Sequence, residues 1–360
     1  MHTGRLAQVR DGKRAFPVHV HLVISDLCNH DCPWCAYRSA GYSSNQLFGD
    51  YKPDGSFTNN PNRKLTVEKV EEILTDCSSM GVKAIQFTGG GEPTVHPHLE
   101  DFLMMTKQSG MDAALVTNGQ LLGRRKLAET VARTCSWVRI SIDAGTRETY
   151  KRTRNLKGDG IWSLVWDNIE ALVALRDRQI GSDRSPYIGL GFVVNKDNYT
   201  EIVKFTEKAA KAGVDNIRFS ALFQNDGDDY YAEIGAEARH LLQKAEDAHG
   251  SDVLISNNFD DRRADLVDGP PDYERCLYQN LTTYIGADMN VYRCCVLAYN
   301  KRGIIGSLKN RTFLNLWDEA VLHEFEEFDA SACARCMFNN KNRELLKLYE
   351  ALPGIHENFV

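Results

Sequence analysis

Seven of the ten cysteines in this 360-residue chain fall into two groups. Cys28, Cys32 and Cys35 stand in CNHDCPWC near the start, and Cys276, Cys294, Cys333 and Cys336 lie near the end, with Cys295 next to Cys294. Three thiolates spaced C-x3-C-x2-C can hold three irons of a [4Fe-4S] cube, leaving the fourth iron open to a small molecule. A zinc site completed by His21 or His30 is the other use of such a set, although structural zinc usually arrives as paired Cys-x2-Cys or Cys/His knuckles. The later group, ending in Cys-x2-Cys, suits tetrahedral zinc. Cys77 and Cys135 stand alone at the apolar ends of expected helices, where buried structural thiols are expected. In TGGGEPT (88–94) three glycines, Gly89, Gly90 and Gly91, let the main chain approach a ligand closely, with the acid Glu92 directly after them. Asn118 in TNG and Ser141 and Asp143 in SIDAG are further polar candidates; turn and capping chemistry is the other use of Asn118 and Asp143.

The elements that must carry these residues alternate. Runs at 18–25, 84–88, 113–117, 137–142, 187–194 and 216–221 are rich in β-branched and aromatic residues and predict six strands. Between the first two, Val67, Val70, Leu74 and Cys77 recur at helical spacing, with Thr66 as N-cap and Gly81 past the end. Helices are also expected over 99–109, 127–135, 162–178 and 200–212. Strict β/α alternation argues for parallel strands in a doubly wound sheet or a full or partial barrel, folds that bind ligands at the C-terminal ends of their strands. CNHDCPWC follows the first strand, and TGGGEPT the second. An acidic loop (Asn225 to Asp229), a helix near 233–249 and a polar stretch ending at Pro271 suggest a linker over 226–270. Beyond it, LTTYIGADMNVYRC predicts a β-hairpin. The division expected is a 1–17 segment, a main unit over 18–225, the linker, a small unit over 271–345 and a 346–360 tail.

Composition narrows the partners. The 43 Lys plus Arg against 49 Asp plus Glu leave a net charge of -6, which offers no global field for nucleic acid. No signal core opens the chain and no run of eighteen apolar residues occurs, so the expectation is a cytoplasmic protein with no membrane partner. The segment from Tyr37 to Leu65 is long for a connection within a compact fold, and is expected to overhang the site.

The sequence resembles the radical S-adenosylmethionine (SAM) superfamily, whose C-x3-C-x-aromatic-C motif is matched by Cys28, Cys32, Trp34 and Cys35. The resemblance implies that the open iron chelates SAM and that electron injection cleaves SAM to a 5'-deoxyadenosyl radical, which takes a substrate hydrogen. It implies Trp34 near the adenine. Gly90, Gly91, Glu92 and Pro93 match the GGEP segment at the methionine amino group, and Asn118, Ser141, Asp143 and Arg154 become SAM contacts. Asn155 stands where glycine commonly follows the arginine. The later cysteines resemble the truncated SPASM, or twitch, domain, which implies an auxiliary [4Fe-4S] cluster on Cys276, Cys294, Cys333 and Cys336, with Met289 in place of the usual turn glycine.

The fold implied is a partial (β/α)6 TIM-like barrel followed by the twitch domain, with SAM and two [4Fe-4S] clusters as cofactors. A flavodoxin- or ferredoxin-type electron donor is implied as partner. Dehydrogenation or epimerisation of a small molecule or short peptide is the expected reaction, since too few residues precede the barrel for a separate peptide-recognition domain. A peptide-modifying or cofactor-building enzyme, and a non-catalytic zinc or redox-relay protein, are the alternatives. Successive strand residues face opposite ways, so Cys295, left over beside the ligand Cys294, is either a packed thiol or a hydrogen-atom donor to the substrate.

Overall fold

Along strand β1 (His19–Leu22) Val20 and Leu22 are wholly buried while His19 and His21 occupy the opposite face, the period-2 pattern of a strand covered by helices on one side. The computed structural model describes residues 3–350, apart from 12, 14, 39–45, 53, 180–184, 224–225 and 268. Part of the long segment after Cys35, Asn225 of the acidic loop and positions 351–360 of the expected tail therefore lie outside the described residues.

After α1 (Thr3–Arg10) and β1 comes a small hairpin, β2 (Asp50–Tyr51) and β3 (Phe57–Thr58). The βα succession then runs α2 (Val67–Ser79), β4 (Ala84–Phe87), α3 (Leu99–Gln108), β5 (Asp112–Thr117), α4 (Leu127–Thr134), β6 (Cys135–Ser141), α5 (Arg147–Thr153), α6 (Ile161–Asp177), β7 (Tyr187–Val194), α7 (Ile202–Lys211) and β8 (Asn216–Ala221). Thr66 caps α2 by accepting from the backbone N–H of Lys69 at 3.2 Å, and Gly81 follows it at φ +69°. Cys77 and Cys135 are buried in the core.

The strands pair in parallel in the order β1-β4-β5-β6-β7-β8, as the alternation requires. The sheet does not stop at six. The stretch read as a linker folds into α8 (Gly235–His249), β9 (Leu254–Asn258) and α9 (Phe259–Val267), and β9 adds a further parallel strand beside β8. Its sequence, LISNN, is short and half polar because it is an edge strand with Leu254 exposed, so it lacks the apolar run that marked the others.

The expected hairpin is present as β10 (Thr282–Ile285) and β11 (Asn290–Tyr292), followed by β12 (Ile304–Ser307), α10 (Phe313–Glu326) and α11 (Asn339–Glu350). β10 pairs in parallel with β1, so both units share one ten-stranded sheet. Met289 sits at the turn with φ +64°, the left-handed conformation that explains why glycine is the usual occupant. Among the described residues, no helix is long and apolar enough to cross a membrane.

Candidate functional site

The loop after β1 carries the three cysteines and is held from behind by the segment that follows them. Asn60 accepts from the backbone N–H of Cys28 at 3.0 Å and donates to its carbonyl at 3.1 Å. Arg38 donates to the carbonyl of His30 at 2.7 Å and to Asn60 Oδ1 at 2.5 Å. Just before the loop, buried Asp26 pairs with Arg63 at 2.7 Å and accepts from Tyr299, and burial lifts its carboxyl to about 7. Described parts of the expected overhanging loop thus buttress the cysteines, and one of its residues, Tyr37, also reaches the cleft wall.

The glycine run after β4 lies tight against this loop. A side chain on Gly91 would place its Cβ 2.2 Å from the carbonyl oxygen of Leu27, and one on Gly90 2.7 Å from Asp26 Oδ1. Glu92 is fully enclosed: Oε1 accepts from Thr94 N (3.0 Å), Thr94 Oγ1 (2.7 Å) and Thr117 Oγ1 (2.6 Å), and Oε2 from the backbone N–H of Asn118 (2.8 Å). The carboxylate joins the loop after β4 to the loop after β5. Asn118 donates to Asn29 of the cysteine loop at 2.8 Å and accepts from the N–H of Gln120, so turn chemistry and site wall coincide there.

After β6, Asp143 adopts φ +57° and accepts from Val193 N at 2.7 Å and from Arg154 at 2.5 Å. Arg154 also reaches Cys32 Sγ at 3.5 Å, and its pKa is raised above the ordinary arginine value, Asp143 and Cys32 favouring the charge against its burial. Asn155 takes φ +49°, a conformation glycine adopts freely and asparagine tolerates best among other residues, so its presence leaves the arginine in place.

One cleft of about 670 Å³ is walled by the three cysteines, Gly89 to Glu92, Asn118, Ser141 and Arg154. Trp34 is half-buried against the core and does not line it. Burial pushes the Cys28 thiol up to about 12 and that of Cys35 upward, so ligation there displaces protons. Three thiols, a backbone stripped of side chains, and the buried Nε atoms of Arg38 and Arg154 without hydrogen-bond partners fit an iron–sulfur cluster with an anionic, polar ligand beside it.

Beyond the cleft lies a larger chamber, about 1180 Å³, bordered by residues of seven strands, from His21 on β1 to Arg218 on β8 and Tyr284 on β10. A flat sheet could not bring β8 and β10 to one cavity, so the sheet curls as a partial barrel. Tyr37, Thr88, Val116 and Ser141 border both cleft and chamber, so the two lie side by side. Tyr37 and Tyr284 exchange a hydrogen bond at 2.8 Å, and Tyr284 donates to the Gly89 carbonyl at 2.7 Å.

Cys276, Cys294, Cys333 and Cys336 border a separate cavity of about 470 Å³ among Tyr278, Leu297, Phe328 and Phe338. The N–H of Phe338 donates to Cys336 Sγ at 3.3 Å, the kind of contact that tunes a cluster. Burial raises the Cys276 thiol to about 12 and the Cys333 thiol to about 11. Four thiols around one cavity fit a cluster with protein ligands on every iron. Cys294 and Cys295 do diverge, though for a different reason from the one expected. β11 ends at Tyr292, so both follow the strand; the bend there turns Cys294 into this cavity and Cys295 into the chamber. Stacked Tyr278 and Phe338, 4.3 Å between ring centroids, stand between the two spaces.

Sequence reasoning missed Arg38, Asn60, Asp26, Tyr284 and the chamber arginines Arg139 and Arg218. For the arginines a signal existed. His19/His21, Gln86/Thr88, Arg139/Ser141 and Arg218/Ser220 form a polar alternation opposite the apolar one, and all of them line the chamber.

Comparisons with known proteins agree with this arrangement. The radical SAM superfamily matches residues 22–205, and an iron-sulfur cluster-binding domain of the SPASM type matches 276–337. Among curated relatives, a tungsten-containing aldehyde ferredoxin oxidoreductase cofactor-modifying protein of Pyrococcus furiosus is 32% identical over 57% of this chain and 51% of its own length. Fe-coproporphyrin III synthase of Methanosarcina barkeri is 31% identical over 39% of this chain and 32% of its own. The chain therefore spans about half or less of these relatives. Streptococcus suis SuiB bound to precursor peptide SuiA shares the fold with a TM-score of 0.64 at 12% identity, covering 89% of this chain and 69% of that one.

Proposed function

Since the chain belongs to the radical SAM superfamily and carries an iron-sulfur cluster-binding domain after it, with SAM and [4Fe-4S] clusters as cofactors, we propose that it takes a hydrogen atom from a small molecule or short peptide in the chamber and returns one from Cys295. In this reading the enzyme is an epimerase. The bound SAM and its cluster supply a 5'-deoxyadenosyl radical when an electron arrives from a flavodoxin- or ferredoxin-type donor. Cys28, Cys32 and Cys35 would hold that cluster, and Cys276, Cys294, Cys333 and Cys336 the auxiliary one.

The observation that carries the reading is the placement of Cys295 on the wall of the chamber that adjoins the SAM cleft. A substrate between them exposes one face to the cleft and another to the thiol, so hydrogen leaves from one side and returns from the other. The thiyl left on Cys295 regains its hydrogen with one electron and one proton. Glu92 keeps the loops after β4 and β5 together. Asp143 orients Arg154 against the cleft, where its charge would meet the carboxylate of SAM, with Ser141, Asn118 and the Gly89–Gly91 backbone as the remaining contacts.

We assign SAM binding to 18–225 and the auxiliary cluster to 271–345, with β9 extending the first unit. We place the protein in the cytoplasm, a reducing setting in which the seven cysteines assigned to the clusters stay available as thiolates. The test is turnover by the reduced protein in deuterated water, against amino acids, short peptides and sugars, with products read by mass. Solvent deuterium in the product of wild type, absent with Cys295→Ser while 5'-deoxyadenosine still forms, supports the donor. Full turnover by Cys295→Ser overturns it in favour of dehydrogenation.

A further inference from the structure

Two arginines of the chamber wall, Arg139 and Arg218, lie outside every ion pair among the described residues. Arg139 on β6 and Arg218 on β8 flank β7, whose registered residues are Gly189 opposite Arg139 and Gly191 opposite Arg218. A Cβ on Gly191 would stand 3.7 Å from Arg139 Cδ, ordinary contact distance, so the Arg139 side chain lies against β7 at this point. Among the described residues neither arginine has an ion-pair partner, and Arg139 Nε is buried with no hydrogen bond at all. The chamber's one carboxylate, Asp143, is committed to Arg154 and the N–H of Val193. Arg262 reaches the same chamber but spends part of its charge on Asp265 at 2.9 Å.

Cations held out of water beside one another are unfavourable unless an anion joins them. Burial first, then Arg139 and Arg262, brings the Arg218 pKa down to about 10, and Asp143 offsets this only in part. Guanidinium groups are the side chains best matched to planar or tetrahedral oxyanions, which they bind through paired N–H donors.

We propose that the substrate carries an oxyanion, a carboxylate or a phosphate, which Arg139 and Arg218 bind inside the chamber. That the occupant is the substrate rests on the radical reading above; that an anion binds there does not. Ser141, two residues along β6 from Arg139, borders both cleft and chamber, so the strand that carries Arg139 also forms part of the cleft wall.

The test uses anaerobically prepared holoenzyme, with inorganic phosphate and succinate as probes and chloride at matched ionic strength as control. Each probe's affinity is followed by the rise in unfolding midpoint, which reports binding by mass action. Expected is binding of at least one probe to wild type, weakened about 10-fold or more by Arg139→Gln and by Arg218→Gln, as for loss of a charge-assisted contact. The probe preferred identifies the oxyanion. Without probe, both variants should unfold no lower than wild type, because repulsion is relieved. The proposal is overturned if neither probe exceeds chloride, if the variants bind as wild type does, or if both variants lower the probe-free midpoint by several degrees. Iron content and SAM cleavage of wild type without substrate test the radical reading separately.

Discussion

Replacing Glu92 by glutamine changes one atom in a fully enclosed carboxylate. Its two oxygens both face backbone N–H groups, Thr94 N at Oε1 and Asn118 N at Oε2, and these donors cannot rotate away. Two hydroxyls add to the Oε1 side. The glutamine can replace Oε1 with its carbonyl, but its amide nitrogen then meets the N–H of Asn118, donor against donor. Losing one charge-assisted bond costs about 1.5–3 kcal/mol and stranding a buried N–H about 1–3 more. Removing a buried charge offsets part of this, since burial lifts the carboxyl above its ordinary pKa. A net loss of about 3 kcal/mol remains. At roughly 2 cal/mol/K per residue, a chain of this length has an unfolding entropy near 0.75 kcal/mol/K, so E92Q should lower the midpoint by about 4 °C. SAM affinity should fall with it, because the loops after β4 and β5 lose their shared anchor. The assay is thermal unfolding and SAM titration of both proteins under anaerobic conditions. A midpoint within about 1 °C of wild type would mean that Glu92 is already neutral in the folded chain, and the account of the loops as joined by a carboxylate would fail.

Changing Cys28, Cys32 and Cys35 together to alanine should remove about half the iron and all SAM cleavage while circular dichroism stays unchanged; persisting cleavage would contradict the assignment of the first cluster. Gly91→Ala should disturb the cysteine loop through its collision with the Leu27 carbonyl, so iron content and SAM affinity drop together; a loss of SAM affinity alone would place the effect at the ligand instead. His19 titrates at about 4, first because of burial and then because of Lys341, below the ordinary 6.5. Its contribution is complete above pH 6.5 and lost as pH falls from there towards 4, on the order of 3 kcal/mol in all; His19→Gln should flatten that part of the urea-midpoint profile, and an unaltered slope would refute it.

The cysteine spacings, the βα alternation and the hairpin were legible because each is written in neighbouring residues. The links that hold the site were not. Asn60 meets Cys28 across 32 positions and Tyr284 meets Gly89 across 195, distances over which no local pattern operates. β9 escaped because an edge strand with one exposed side needs few apolar residues. The divergence of Cys294 and Cys295 was expected from strand alternation, yet it arises from a bend beyond the strand. Arg139 and Arg218 were inside segments correctly read as strands, and only the polar half of each alternation, followed across strands, could have assigned them to a common interior.

The parallel pairing of β10 with β1 ties the last quarter of the chain to its beginning. His19 meets Thr282 and Leu22 meets Ile285, so the strand that launches the cysteine loop acquires its second neighbour only after some 260 residues have been made. Until then β1 presents an open row of N–H and C=O groups on one side, with Val18, His19 and Val23 awaiting carbonyls from Leu281 and Ile285. Such a late, long-range closure is slow to find and exposes an adhesive edge during synthesis. A protein truncated before Thr282 would keep every cysteine of the first group and yet emerge with that edge unpaired, prone to associate through β1. Soluble production of the first unit alone would thus require a substitute strand, or charge placed along that border.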